Sequence, residues 1–264
     1  MSAFGFSEED LVRYSRQMLL PEVGGAGQRR LLDARVAIVG AGGLGSPVAL
    51  YLAAAGVGRI TLVDNDEVDL SNLQRQVLHA TADVGRPKVE SARERLLGIN
   101  PGVRVEAIHA RLEPAGAEAF LAGHDVVVEG SDNFETKFAV NDAAVALGIP
   151  VVHGGVLRFT GQVFTTIPGK SACYRCVFEE PPPPGSMPTC QEAGVIGPVP
   201  GVIGCFQAAE AMKVLLGRGE PLAGRILEVD LLAGSVRTIQ VRPRTGCPAC
   251  ARASWSRARK GALD

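Results

Sequence analysis

Residues 35–45 read RVAIVGAGGLG. The run from Arg35 to Gly40 is apolar and rich in β-branched residues, which predicts a buried strand. Gly40, Gly42, Gly43 and Gly45 then space a turn of the form GxGxxG. Between a strand and a helix, such a turn brings bare backbone N–H groups and a helix N-terminus to face one anionic ligand. Asp64 lies 19 positions beyond Gly45. It closes a second predicted strand, Arg59 to Val63, where a carboxylate can accept hydrogen bonds from ribose hydroxyls. Together these features predict a nucleotide site, the alternative being a tight turn without a ligand.

Working outward, short β-rich runs alternate with helix-like segments. Strands are predicted at Val103 to Ile108, Asp125 to Glu129 and Val151 to Val156. Helices are predicted from about Leu44, after Pro87, near Ala115 and from Asn133 to Leu147. This alternation is the signal of βαβ units, so the fold class expected is α/β, a doubly wound Rossmann-like and mostly parallel sheet. Past Gln162 the pattern changes to short strand-like pieces, a Pro-rich stretch, an apolar helix from about Val202 to Leu216, and strands at Arg225 to Val229 and Val236 to Val241. Four prolines, Pro181 to Pro184, cannot join a helix or central strand and predict an exposed crossover loop over 179–190. The organisation expected is an N-terminal helical arm over 1–34, a nucleotide-binding domain over 35–250 and a flexible tail over 251–264.

GxGxxG alone favours NAD, which makes a dinucleotide oxidoreductase one alternative. The residues at the carboxyl edge of the sheet argue otherwise. Asp64 and Asp66 are followed by Asn72, Arg75 and Gln76 and then by Lys88, a polar and cationic series that suits a triphosphate. Bringing a carboxylate to the α-phosphate of ATP requires cations to offset repulsion, for which Arg75 and Lys88 are candidates. Asp132, in Ser131-Asp132-Asn133 after the fourth strand, could hold Mg²⁺, or Asp132 or Ser131 could cap the next helix.

The chain has 264 residues with 27 basic and 28 acidic side chains, so one principal domain is expected and no global pull toward nucleic acid or anionic membrane. The N-terminus is acidic where a signal peptide is basic, and no segment reads as a membrane span, which points to the cytoplasm. Cys173, Cys176, Cys247 and Cys250 form two Cys-x-x-Cys pairs, which in a cytosolic protein read as a structural Zn²⁺ site, with reducible disulfides or inert thiols as alternatives. Cys205, on the apolar helix, is expected in the core.

With these residues assembled, the sequence resembles the ubiquitin-activating-enzyme-like ThiF/MoeB/HesA family of adenylyltransferases. The motifs RYSRQMLLPEVGGAGQ, VAIVGAGGLGSPVALYLAAAGVGRITLVDNDEVDLSNLQRQ, VGRPKVESA, SDN, CYRC, TCQEAGVIGPVPGVIG and CPAC occur in the family's order. The resemblance implies ATP-dependent adenylation of the C-terminal glycine of a small ubiquitin-like sulfur-carrier protein ending in Gly-Gly. It places Gly42 and its turn on the nucleotide, Asp64 on the ribose, Asn72, Arg75 and Lys88 on the phosphates, and Asp132 on magnesium. Arg16 is similar to the family arginine that reaches the neighbouring subunit's ATP, which implies a homodimer. Cys190 matches a family cysteine that can link covalently to the carrier. No sulfurtransferase domain follows, so a separate sulfurtransferase or cysteine desulfurase would supply sulfur. A non-catalytic nucleotide-bound partner module is a further alternative. The histidines His79, His109, His124 and His153 have no expected catalytic role, because the attacking carboxylate is already ionised at neutral pH.

Overall fold

The computed structural model describes residues 5–183 and 193–252. Three short helices, α1 (Glu8–Arg13), α2 (Ser15–Met18) and α3 (Gly24–Asp33), lead into an alternating series. It runs β1 (Arg35–Val39), α4 (Gly45–Ala54), β2 (Arg59–Asp64), α5 (Lys88–Ile99), β3 (Arg104–His109), α6 (Pro114–Leu121), β4 (Val126–Glu129), α7 (Phe134–Leu147) and β5 (Val151–Leu157). The C-terminal part carries β6 (Thr160–Thr166), α8 (Tyr174–Val177), α9 (Pro198–Leu216), β7 (Arg225–Asp230), β8 (Ser235–Gln240) and α10 (Pro248–Arg252).

The sheet order is β3-β2-β1-β4-β5-β6-β7-β8. β1 to β5 pair in parallel, and β6, β7 and β8 extend the sheet antiparallel. The expected doubly wound sheet is therefore present, with an antiparallel wing in place of isolated strand-like pieces. The chain order reverses between β1 and β4, and the carboxyl ends of strands at such a switch point form the crevice where open α/β sheets bind ligands.

β1 from Val36 and β4 up to Val128 are apolar because helices cover both their faces. One layer packs Leu31, Val48, Leu52, Val89, Leu96 and Ile203 against the sheet; the other brings Ala117, Leu121, Val140 and Ala144. Helix α9 starts at Pro198, earlier than the sequence suggested. Contrary to expectation, it is long and apolar enough to cross a membrane, with a mean hydropathy of 1.3. It lies instead against the sheet: buried Gln207 donates to the Glu129 carbonyl at 2.8 Å, and buried Glu210 accepts from the Thr165 hydroxyl at 2.6 Å. Cys205, expected in the core, is exposed on α9 beside half-exposed Phe206. An all-round apolar helix buries one stripe against its sheet and leaves the opposite side uncovered within a single chain.

Candidate functional site

The turn after β1 is built by close approach. Gly40 has a φ of 94°, in the left-handed region, and a Cβ there would meet the Gly130 carbonyl oxygen at 2.9 Å. Gly45 is buried and does not border the cavity; a side chain on it would collide with the Gly40 carbonyl, so this glycine lets the helix start on top of the turn. Asp64 locks the turn from the neighbouring strand, its two carboxylate oxygens accepting the Ala41 N–H at 2.7 Å and the Asp66 N–H at 2.8 Å. Burial raises the pKa of Asp64, against the opposing pull of Lys88. From the other side His79, buried, places Nε2 2.9 Å from the Ala41 carbonyl oxygen and Nδ1 2.8 Å from the Ser91 hydroxyl. Burial lowers its pKa, so the ring is neutral, with Nε2–H donating to Ala41.

A cavity of about 760 Å³ opens over this turn. Gly40, Gly42 and Gly43 border it, as do Asp64, Asp66 and Asn72, and Arg75, Gln76, Lys88 and Asp132 complete the set. The residues singled out for nucleotide, phosphate and magnesium are thus brought together, apart from Gly45. The Asn72 side-chain oxygen accepts from Gln76 at 2.7 Å and from Arg75 at 3.4 Å, which aims the guanidinium along the cavity wall. The Lys88 ammonium is 2.7 Å from Asp66, on a side chain only 5% exposed.

Asp132 follows β4 on a loop fixed from beneath. The fully buried Glu129 carboxylate accepts the Ser131 N–H at 2.8 Å and also its hydroxyl, and is paired with Lys137 at 2.5 Å. Lys137 donates further to the Gly154 carbonyl at 2.7 Å. The helix cap is Asn133, whose side chain accepts the Thr136 N–H at 2.8 Å. Asp132 is therefore free of capping and has no hydrogen-bond partner among the described residues, a carboxylate open to a hard cation.

Beyond Asp132 the cavity continues past His153, Gly154, Gly155 and Gly161 to Phe164 and Tyr174. Sequence reasoning missed this half, since its residues belong to no motif and meet through the pairing of β5 with β6. Register was the available signal: the β5 residue in register with the one that closes β4 shares its face, and His153 indeed pairs with Glu129.

Arg16 lies exposed on α2 and does not border this cavity. Cys190 lies outside the described residues, as do 184–189 of the expected crossover loop and 253–264 of the expected tail.

The four remaining cysteines converge. Their sulfurs lie within 4.8 Å of one another, with neighbouring separations of 3.8, 3.7, 3.6 and 3.5 Å. Sulfurs at the corners of a tetrahedron with metal bonds of about 2.3 Å stand about 3.8 Å apart. The donor set and spacing therefore fit Zn²⁺ and leave no open coordination position. Burial pushes the Cys173 thiol up and the Cys250 thiol up to about 11, so these two thiols resist ionising by themselves. For Cys247 burial acts in the same direction, but the N–H groups of Cys250 and Ala249 bring it down on balance.

The ThiF family model matches residues 14–249. This chain belongs to the ThiF family. Among its relatives, a sulfur carrier protein adenylyltransferase of Thermus thermophilus is 53% identical, over 93% of this chain and 92% of the relative. A SAMP-activating enzyme E1 of Haloferax volcanii is 50% identical, over 91% of this chain and 88% of the relative. The crystal structure of E. coli MccB with ATP superposes with a TM-score of 0.80 at 25% identity, covering 95% of this chain and 76% of that one. For this ThiF-family chain, the cavity at the switch point is where nucleotide chemistry would be sought.

Proposed function

We propose that this ThiF-family protein adenylates the C-terminal glycine carboxylate of a ubiquitin-like sulfur carrier ending in Gly-Gly, using ATP. The observation that carries the reading is the continuity of one cavity. Its first half has the glycine turn, the cationic side chains of Arg75 and Lys88 and the uncommitted carboxylate of Asp132; its second half is lined by glycines and aromatic rings. The reading is supported by the names of relatives matched over nearly their full length.

Gly40, Gly42 and Gly43 receive the phosphates, Asp64 the ribose, and Asn72, Arg75, Gln76 and Lys88 the triphosphate, with Asp66 holding Lys88 in place. A carboxylate oxygen of the carrier attacks the α-phosphorus, and the bond to the bridging oxygen breaks as pyrophosphate leaves with the electron pair. No proton has to move first, because the carboxylate is ionised at neutral pH; positioning and charge stabilisation lower the barrier. Mg²⁺, which Asp132 would hold, supplies charge neutralisation on the phosphates. Zn²⁺ in the tetracysteine cluster would tie α8 to α10 as a structural ion.

Arg16 serves the partner's site in a homodimer. This is supported by its absence from the lining of its own chain's cavity and by the uncovered apolar side chains near it in the chain, Val12 at 77% and Leu19 at 71% exposed. Cys190 takes part in the later sulfur step, with sulfur delivered by a separate sulfurtransferase or cysteine desulfurase in the cytoplasm. The experiment is carrier-dependent exchange of labelled pyrophosphate into ATP. Exchange that requires an intact Gly-Gly terminus is expected; tight NAD binding with no exchange would overturn the reading in favour of an oxidoreductase.

A further inference from the structure

We propose that His153 recognises the last peptide unit of the carrier's tail through a ring nitrogen, and so sets the terminal carboxylate against the nucleotide. This rests on the adenylation reading above. His153 is 1% exposed and borders the cavity, yet neither Nδ1 nor Nε2 has a hydrogen-bond partner. Buried side-chain nitrogens ordinarily find partners, so an unpaired, buried pair on a residue that lines the cavity points to a group that arrives.

The surroundings say what kind of group. The ring is fixed from one side by Phe164, stacked at 4.8 Å between centroids, and from another by Tyr174 at 5.1 Å. Its orientation is therefore held before anything binds. The nearby Lys137 ammonium is already engaged by Glu129 and the Gly154 carbonyl, so this half of the cavity offers no free cation to a phosphate. Burial and the Lys137 charge keep the imidazole neutral, well below its ordinary range. A neutral imidazole presents one donor and one acceptor, and its acceptor nitrogen is the complement of a peptide N–H. Of the glycines that line this half, Gly155 has no neighbour closer than the Gln162 side chain at 3.5 Å to where a Cβ would stand, which leaves space for a backbone, whereas Gly154 and Gly161 are backed by Gln207 and Ile203. A Gly-Gly terminus, whose polar groups before the carboxylate are backbone alone, matches that chemistry. His153 is in these terms a positioning residue.

The test uses the full chain and a recombinant ubiquitin-like sulfur carrier ending in Gly-Gly, read by pyrophosphate exchange. H153F keeps the ring stack and removes both nitrogens; its carrier KM should rise about tenfold while its ATP KM and Tm stay at parental values. H153Q, which retains a donor and an acceptor, should recover much of the loss. A second arm uses the same carrier with its terminal glycine N-methylated: the parent should lose affinity for it and H153F should not distinguish it. A folded H153F with parental carrier KM, or an N-methyl penalty equal in both proteins, would overturn the assignment. If H153F melts early, the N-methylated carrier on the parent decides alone, an unchanged KM counting against His153. Absence of any exchange in the parent would instead remove the adenylation reading, and this inference with it.

Discussion

The glycine turn and the tetracysteine corner are both tightly built, but they are assembled in opposite ways. The turn draws on one continuous stretch and is braced by ligand-independent bonds, from Asp64 on one side and His79 on the other. The corner joins residues 74 positions apart, and burial makes the Cys173 and Cys250 thiols resist the ionisation that metal binding requires. The first region holds its shape before its ligand arrives; the second has the chemistry of a site that a cation completes. Chemistry and stability should therefore separate between the two by mutation.

The largest effect expected is at the cavity. Asp132→Ala should lower carrier-dependent pyrophosphate exchange by about 10³-fold, the scale of losing a group at the charge-forming centre, with Tm unchanged. Full exchange in that variant would remove Asp132 from the reaction. The reverse pattern is expected at the corner. Cys250→Ser should lower Tm by about 10 °C through loss of a structural metal and expose the C-terminal segment to proteolysis, while nucleotide affinity below the transition persists. Elemental analysis of protein purified without chelators should find zinc near one per chain, and its absence would dissolve the contrast.

A smaller, fractional effect tests whether the cavity is complete within one chain. If Arg16 acts across a two-fold axis, mixing equal amounts of Arg16→Ala and Asp132→Ala chains leaves half the dimers mixed, each with one intact site. Roughly one quarter of all sites should then recover. No recovery, once native mass spectrometry has shown that subunits exchanged, would return Arg16 to its own chain or to no role.

The smallest effect concerns the brace on the turn. Burial lowers the folded-state pKa of His79 and of His153, so below the ordinary imidazole value the unfolded chain binds more protons than the native one. Stability should be fully present above about pH 6.5 and fall as pH drops, by up to about 1.4 kcal/mol per pH unit for each ring. Denaturant unfolding at pH 7.5 and 5.5 should show a shallower loss in His79→Gln than in the parent, a difference that metal release in acid does not mimic. Equal slopes would mean that His79 is not held neutral.

The parallel half of the sheet was legible because its signals are local. A glycine spacing, an acid at a strand end and a change of hydrophobic period each act within a few residues, and they located β1 to β5 within one or two positions. The capping role left open between Ser131 and Asp132 went to Asn133, a choice that depends on where the helix axis points. Cys205 was misplaced for a related reason: an evenly apolar helix carries no phase, so its composition does not say which stripe meets the sheet.

What the sequence alone determined about this protein is therefore the chemistry of its turn, the alternation that makes the sheet, and the presence of four paired thiols. The tertiary structure decided that those thiols meet and that Glu129 and Lys137 brace the Asp132 loop. It also decided that His153, in register with the last residue of β4, lines the cavity with both nitrogens unpaired. These depend on strand register and on contacts between residues far apart in the chain, which arise when packing brings separate elements together.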